Sequence, residues 1–85
     1  MKKFIIKRQM DGAGSIPKND LNLAGKNSEE ILDAMRSEGK NIQQVQSYVV
    51  GDAIYCVYNA DSEDLIKEHS ERSAAPATEI SEVSS

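Results

Sequence analysis

Tryptophan is absent from this chain, phenylalanine occurs once, and its 85 residues include one cysteine and one histidine. A lone cysteine cannot close a disulfide within the chain, so packing must hold the fold, and a reducing cytoplasm is the expected compartment. Long apolar runs are also missing. Phe4-Ile5-Ile6 follows Met1-Lys2-Lys3 but stops at Lys7-Arg8, before the hydrophobic region of a secretory leader could form. No other stretch approaches the roughly 20 apolar residues of a membrane span. No basic stripe occurs either: ten Lys and Arg against fourteen Asp and Glu give a net charge of −4, which argues against nucleic acid as a partner. With only two prolines and 39% apolar residues the chain is not of disordered composition. At this length residues 1–85 make one domain with a small core.

What the chain does have is concentrated between Ser47 and Asn59. The stretch SYVVGDAIYCVYN holds all three tyrosines and the cysteine, and His69 follows ten residues later. Two β-branched and aromatic runs flank Gly51-Asp52, which predicts a β-hairpin with a two-residue turn and a positive φ at Gly51. In that register Ser47 faces Cys56, Tyr48 faces Tyr55 and Val49 faces Ile54. One face then carries Val45, Ser47, Val49, Ile54, Cys56 and Tyr58. The other carries Gln46, Tyr48, Val50, Ala53, Tyr55 and Val57.

The remaining elements fall on either side of the hairpin. Residues 2–10 read as a strand, and the unbroken apolar run Phe4-Ile5-Ile6 predicts a central one, buried on both faces. Gly12-Ala13-Gly14 lacks both the third glycine of a dinucleotide loop and the Lys-Ser/Thr of a P-loop, so it is read as a turn into a helix. That helix is predicted over 17–38, capped by Ser15 and ended by Gly39, with Leu21, Ala24, Ile31, Leu32 and Met35 at helical spacing. Ser28 lies on the same stripe, and its hydroxyl is expected to bond back to a carbonyl one turn earlier. Asp61 is expected to cap a second helix that holds His69 at the edge of its packed face and that Pro76 stops. Residues 78–83 make a short edge strand.

The order β-α-β-β-α-β is that of the ferredoxin-like α+β sandwich, a four-stranded antiparallel sheet with both helices on one face. Two helices leave the second face bare. Tyr48, Val50, Tyr55 and Val57 would then form a contiguous exposed patch, so a homodimer packed through the open sheet face, a dimeric α+β barrel, is expected.

Ser47-Tyr48, Tyr55-Cys56-Val57-Tyr58, Asp61, Glu68-His69, Pro76 and Ile80-Ser81-Glu82-Val83 together resemble a family of small bacterial domains related to a nickel-binding protein with a dimeric ferredoxin-like fold. Phe4-Ile5-Ile6, the glycine turn, Pro17 and Lys26-Asn27-Ser28 extend the resemblance toward the N-terminus. It implies the fold and raises nickel as a possible cofactor. One departure is Ser73-Ala74-Ala75, where such domains often carry a glycine before the proline.

Three kinds of chemistry remain open from the residues. His69 is the candidate metal ligand, with Cys56 as the one thiolate, and carboxylates of Glu68, Glu71, Glu79 or Glu82 or a second chain would have to complete a site. Cys56 and His69 could instead act as nucleophile and base, which requires a thiolate within reach of the imidazole. Finally, His69, Cys56, Tyr58, Tyr55, Ser47, Arg8 and Arg72 are the polar groups that could line a small-molecule pocket, of a binding domain or an enzyme. Against these stands a purely structural or protein-interaction module, with a satisfied core histidine and an inert strand cysteine.

Overall fold

The computed structural model describes residues 1–75 and 77–83. Its strands are β1 (Lys2–Gln9), β2 (Ile42–Val50), β3 (Ala53–Ala60) and β4 (Glu79–Glu82), and its helices are α1 (Lys18–Ser37) and α2 (Glu63–Ser73). They form one antiparallel sheet in the order β2-β3-β1-β4. This is the ferredoxin-like arrangement, with β1 central and β4 at an edge as the sequence predicts. No helix among the described residues is long and apolar enough to cross a membrane.

Strand alternation sorts the side chains. Phe4, Ile6 and Arg8 of β1 stand opposite Tyr58, Cys56 and Ile54 of β3, and all but the half-buried Ile54 are buried. Leu32 and Met35 of α1 and Ile66 of α2 close the core over them. Ile5, between two fully buried neighbours, is 40% exposed, so within one chain β1 is covered on one face only.

The hairpin register is the predicted one from Ser47↔Cys56 to Val50↔Ala53. Toward the start of β2 it shifts at a bulge between Gln44 and Gln46, which places Gln44 opposite Tyr58 and leaves Val45 exposed, off the face assigned to it. Gly51 does not take the expected positive φ; among the described glycines Gly12 and Gly39 do.

The glycine segment after β1 explains the turn. Residues 13–15 form one 3₁₀ turn folded onto the hairpin tip: Met10 N–H donates to Asp52 O at 2.9 Å, Gly14 N–H to Gly51 O at 3.0 Å, and Gly12 N–H to the Asp52 carboxylate at 3.0 Å. A Cβ at Gly14 would come within 3.3 Å of Gly51 Cα, so glycine there is a matter of space. Ser15 is held in that turn and does not cap α1; the helix follows Pro17 with no side-chain cap. Asp61 likewise caps nothing. Its carboxylate accepts from Asn41 Nδ2 at 2.8 Å and ties the start of β2 to the end of β3, while Ser62 precedes α2. The expected stop at Pro76 lies outside the described residues.

Candidate functional site

The C-terminal half of α1 is pressed onto the sheet through Leu32 and Met35, whereas its first turns stand off from it. Beneath them is a cavity of about 540 Å³. Leu21, Ala24 and Ser28 of α1 form its roof, Val49 and Ile54 of the hairpin one wall, and Met10 and Ile16 the side toward the glycine turn. Into this largely apolar space the sheet and α2 direct Arg8, Ser47, Cys56, Tyr58 and His69.

Of the seven predicted pocket residues, five therefore meet around one cavity. Tyr55 does not: it lies on the opposite face of β3, paired with Tyr48 and Lys7. Arg72 does not either. The positions of α2 that face inward are Leu65, Ile66, His69, Ser70 and Ser73, and Arg72 falls on the flank. There its guanidinium forks onto Glu38 at 2.8 and 2.7 Å and reaches Glu68 at 2.6 Å. Arg72 first, and Lys40 second, pull the Glu38 carboxyl down to about 2.

His69 is 1% exposed, in the core and not at the helix edge, with its ring between Ser28 of α1 and Tyr58 of β3. Its Nε2 is 3.0 Å from Ser28 Oγ and 3.4 Å from the Ser28 carbonyl, while Nδ1 is 3.5 Å from the Tyr58 hydroxyl. The Tyr58 and His69 rings meet edge to face at 81° with centroids 5.4 Å apart. Ser28 thus bonds across to α2 instead of back along its own helix. Burial, above all, pushes the imidazole below its ordinary value; the Ser28 carbonyl opposes this, the Arg8 cation adds to it, and Glu29 opposes it. His69 is accordingly neutral at pH 7. Burial likewise raises Tyr58, which stays a phenol.

Arg8 completes the group. It donates to Ser70 Oγ at 3.1 Å and to the Tyr58 hydroxyl at 3.4 Å, and is itself 5% exposed. At the other end Ser47 donates to Cys56 Sγ at 3.5 Å. Sequence reasoning weighed Ser28 and left it out of the pocket, and missed Ser70; the legible signal for Ser28 was a hydroxyl on an otherwise apolar helix stripe.

A metal fits this donor set poorly. Among the described residues no group of three or more His, Cys, Asp or Glu is placed to hold an ion. Glu68, the carboxylate nearest to His69 in sequence, is engaged by Lys40 and Arg72.

The family model described as nickel responsive protein SCO4226-like matches residues 4–83. The chain belongs to the SCO4226-like family. Among solved structures, the crystal structure of SCO4226 from Streptomyces coelicolor A3(2) is similar, with a TM-score of 0.76 and 23% identity over 95% of this chain and 94% of that one. At that identity the likeness establishes the SCO4226-like fold alone. No curated protein matches the chain.

Proposed function

We propose that the domain is a binding module that takes a small, largely apolar molecule into the cavity between α1 and the sheet. One observation carries this reading: a space of about 540 Å³ with apolar walls gathers the buried polar ends of Arg8, Tyr58 and His69 with Ser28. Ligand pockets combine these features: about 300–1,000 Å³, apolar lining and a few convergent polar groups. Mass spectrometry of the purified protein under native and denaturing conditions tests it. A retained organic molecule whose binding is lost in Leu21→Trp, which fills the roof of the cavity, supports the reading. Retention unchanged by that substitution removes it.

Nickel binding at His69 is the second reading, favoured by the family's description as nickel responsive. Among the described residues no third His, Cys, Asp or Glu is placed with this imidazole and thiol to hold an ion, so we take the further donors to come from another molecule. Calorimetric titration of nickel into wild type and His69→Ala decides the matter; heat that the substitution leaves unchanged rules His69 out as a ligand.

In either case the protein is proposed to work as a homodimer. Ile5, Tyr48 and Val50, exposed by 40%, 51% and 44%, continue into the half-buried Tyr55 and Val57 on the open face of the sheet. An apolar area of this kind favours a second sheet over water. A sedimentation mass of one chain at micromolar concentration would exclude the dimer.

A further inference from the structure

We infer that the ligand of this cavity carries no ionised group: it is an uncharged, apolar molecule whose polar atoms, where it has any, stay at the mouth. The inference rests on the small-ligand reading above and specifies the class of ligand. The residues that line the space fall into two sets. Asp20 and Asn27 of α1 and Ser47 and Val49 of β2 are exposed, so the cavity opens between the first turns of α1 and the edge strand β2. Arg8, Cys56, Tyr58 and His69, by contrast, are buried and form its inner end.

The inner end is polar, but its groups answer one another. Arg8 donates to Ser70 and to the Tyr58 hydroxyl and has a further interaction besides. The same hydroxyl meets Nδ1 of His69, whose Nε2 is taken up by Ser28. Among the described residues no buried side-chain nitrogen or oxygen lacks a partner. Burial, the largest influence on each, lowers His69 and raises Tyr58, so neither brings a charge at pH 7. A carboxylate entering this end would lose its water, which is costly for an ion unless bonds replace it. It could form such bonds only by displacing Tyr58 or Ser70 from Arg8, leaving a buried hydroxyl short of a partner. An ammonium would meet the like charge of Arg8, since a guanidinium stays protonated whatever its burial, and Asp20 answers it only at the exposed mouth. An uncharged body avoids both costs and gains by covering Ile16, Leu21, Val49 and Ile54. A hydroxyl or carbonyl on it can remain at the mouth, in water and beside Asn27 and Ser47.

Calorimetric titration of the full chain with matched trios tests this: phenethyl alcohol, phenylacetate and phenethylammonium, and octanol, octanoate and octylammonium. In each trio the alcohol is expected to bind at least tenfold more tightly than the carboxylate and the ammonium, and Leu21→Trp to abolish its binding. Tyr58→Phe removes one partner of Arg8 and is expected to narrow the gap between alcohol and carboxylate. A carboxylate or ammonium that binds as tightly as its alcohol overturns the inference and leaves the small-ligand reading standing. Failure of every compound to bind overturns both. Alcohol binding that survives Leu21→Trp lies elsewhere and overturns the inference. A gap left unchanged by Tyr58→Phe in a folded protein also overturns it, since the preference then does not come from the closed polar group.

Discussion

Along β3, Cys56, Tyr58 and Ala60 are buried beneath the helices, while Tyr55 and Val57, each one residue away, lie on the other face of the sheet and remain partly exposed. Both faces are apolar and both carry a tyrosine. Only the covered face joins its tyrosine to Arg8 and His69, because there two helices cover the sheet and α2 supplies the imidazole, while Arg8 comes from the neighbouring β1. Alternation along a strand therefore assigns the two tyrosines to different roles before either has a partner.

The sharpest way to break this contrast uses adjacent residues of β1. Ile6 is fully buried and Ile5 is 40% exposed. Ile6→Ala is expected to cost about 2–5 kcal/mol in chemical denaturation, as for other buried large-to-small changes. Ile5→Ala in the monomer should cost less than about 1 kcal/mol. If the open face pairs with a second chain, the Ile5→Ala cost will grow with protein concentration while that of Ile6→Ala exceeds it throughout; equal costs in dilute solution would erase the distinction between the faces.

A smaller effect separates the tyrosines. Tyr58→Phe removes an oxygen shared by Arg8 and His69, and leaving buried donors short of a partner costs about 1–3 kcal/mol. Tyr55→Phe touches neither group and should be nearly neutral to folding. The same denaturation curves measure both, and a neutral Tyr58→Phe would mean that the buried polar group adds nothing to stability.

Acidification probes the covered face alone. Burial lowers the folded His69 below its ordinary 6.5, with Arg8 adding to the shift and the Ser28 carbonyl and Glu29 opposing it. The unfolded chain therefore takes up this proton more readily than the folded one, so the His69 contribution is complete above about 6.5 and is lost as pH falls below it. Glu38, held down to about 2 from 4.5, loses its contribution only at lower pH, below 4.5. Between those values the slope belongs mainly to His69. Denaturation midpoints from pH 7.5 to 5 should fall in wild type and stay flatter in His69→Gln; parallel profiles would show that His69 is not held neutral by the fold.

Much of this was legible in the sequence. The order of elements, the central β1 and the hairpin register from Ser47 to Ala53 follow from alternation and turn spacing, which are local. Apart from the φ of Gly51 and the placing of Tyr55 in the pocket, the errors came from contacts between segments distant in the chain. The Gly12–Ser15 turn docks on the hairpin tip, which took Ser15 away from α1. Asn41 claimed the Asp61 carboxylate, and the bulge at Val45 reversed that residue's face. In the cavity, Arg8, Cys56, Tyr58 and Ser47 could be grouped by strand parity, but the Ser28–His69 contact spans two helices whose relative rotation no spacing rule fixes. Arg72 was misplaced for the same reason.

The smallest expected effect concerns the seam that holds α2 over the cavity. Both helices end in the same way: the left-handed residue donates to the carbonyl three residues back, and the next residue to one five back. In α1 the bonds are Gly39 to Arg36 and Lys40 to Met35, and in α2 they are Ala74 to Glu71 and Ala75 to Ser70. The difference is the residue at the left-handed position, Gly39 with φ 88° against Ala74 with φ 55°. A Cβ there is disfavoured by roughly 1–2 kcal/mol, partly offset by the greater freedom glycine has when unfolded. Ala74→Gly should therefore stabilise the protein, by about 1 kcal/mol or less, and Gly39→Ala should destabilise it by a similar amount. Thermal midpoints that rise for the first and fall for the second would show that α2 is held over the covered face despite backbone strain at its end; a fall for Ala74→Gly would mean that the alanine methyl, at the cavity rim, contributes more by packing than it costs in conformation.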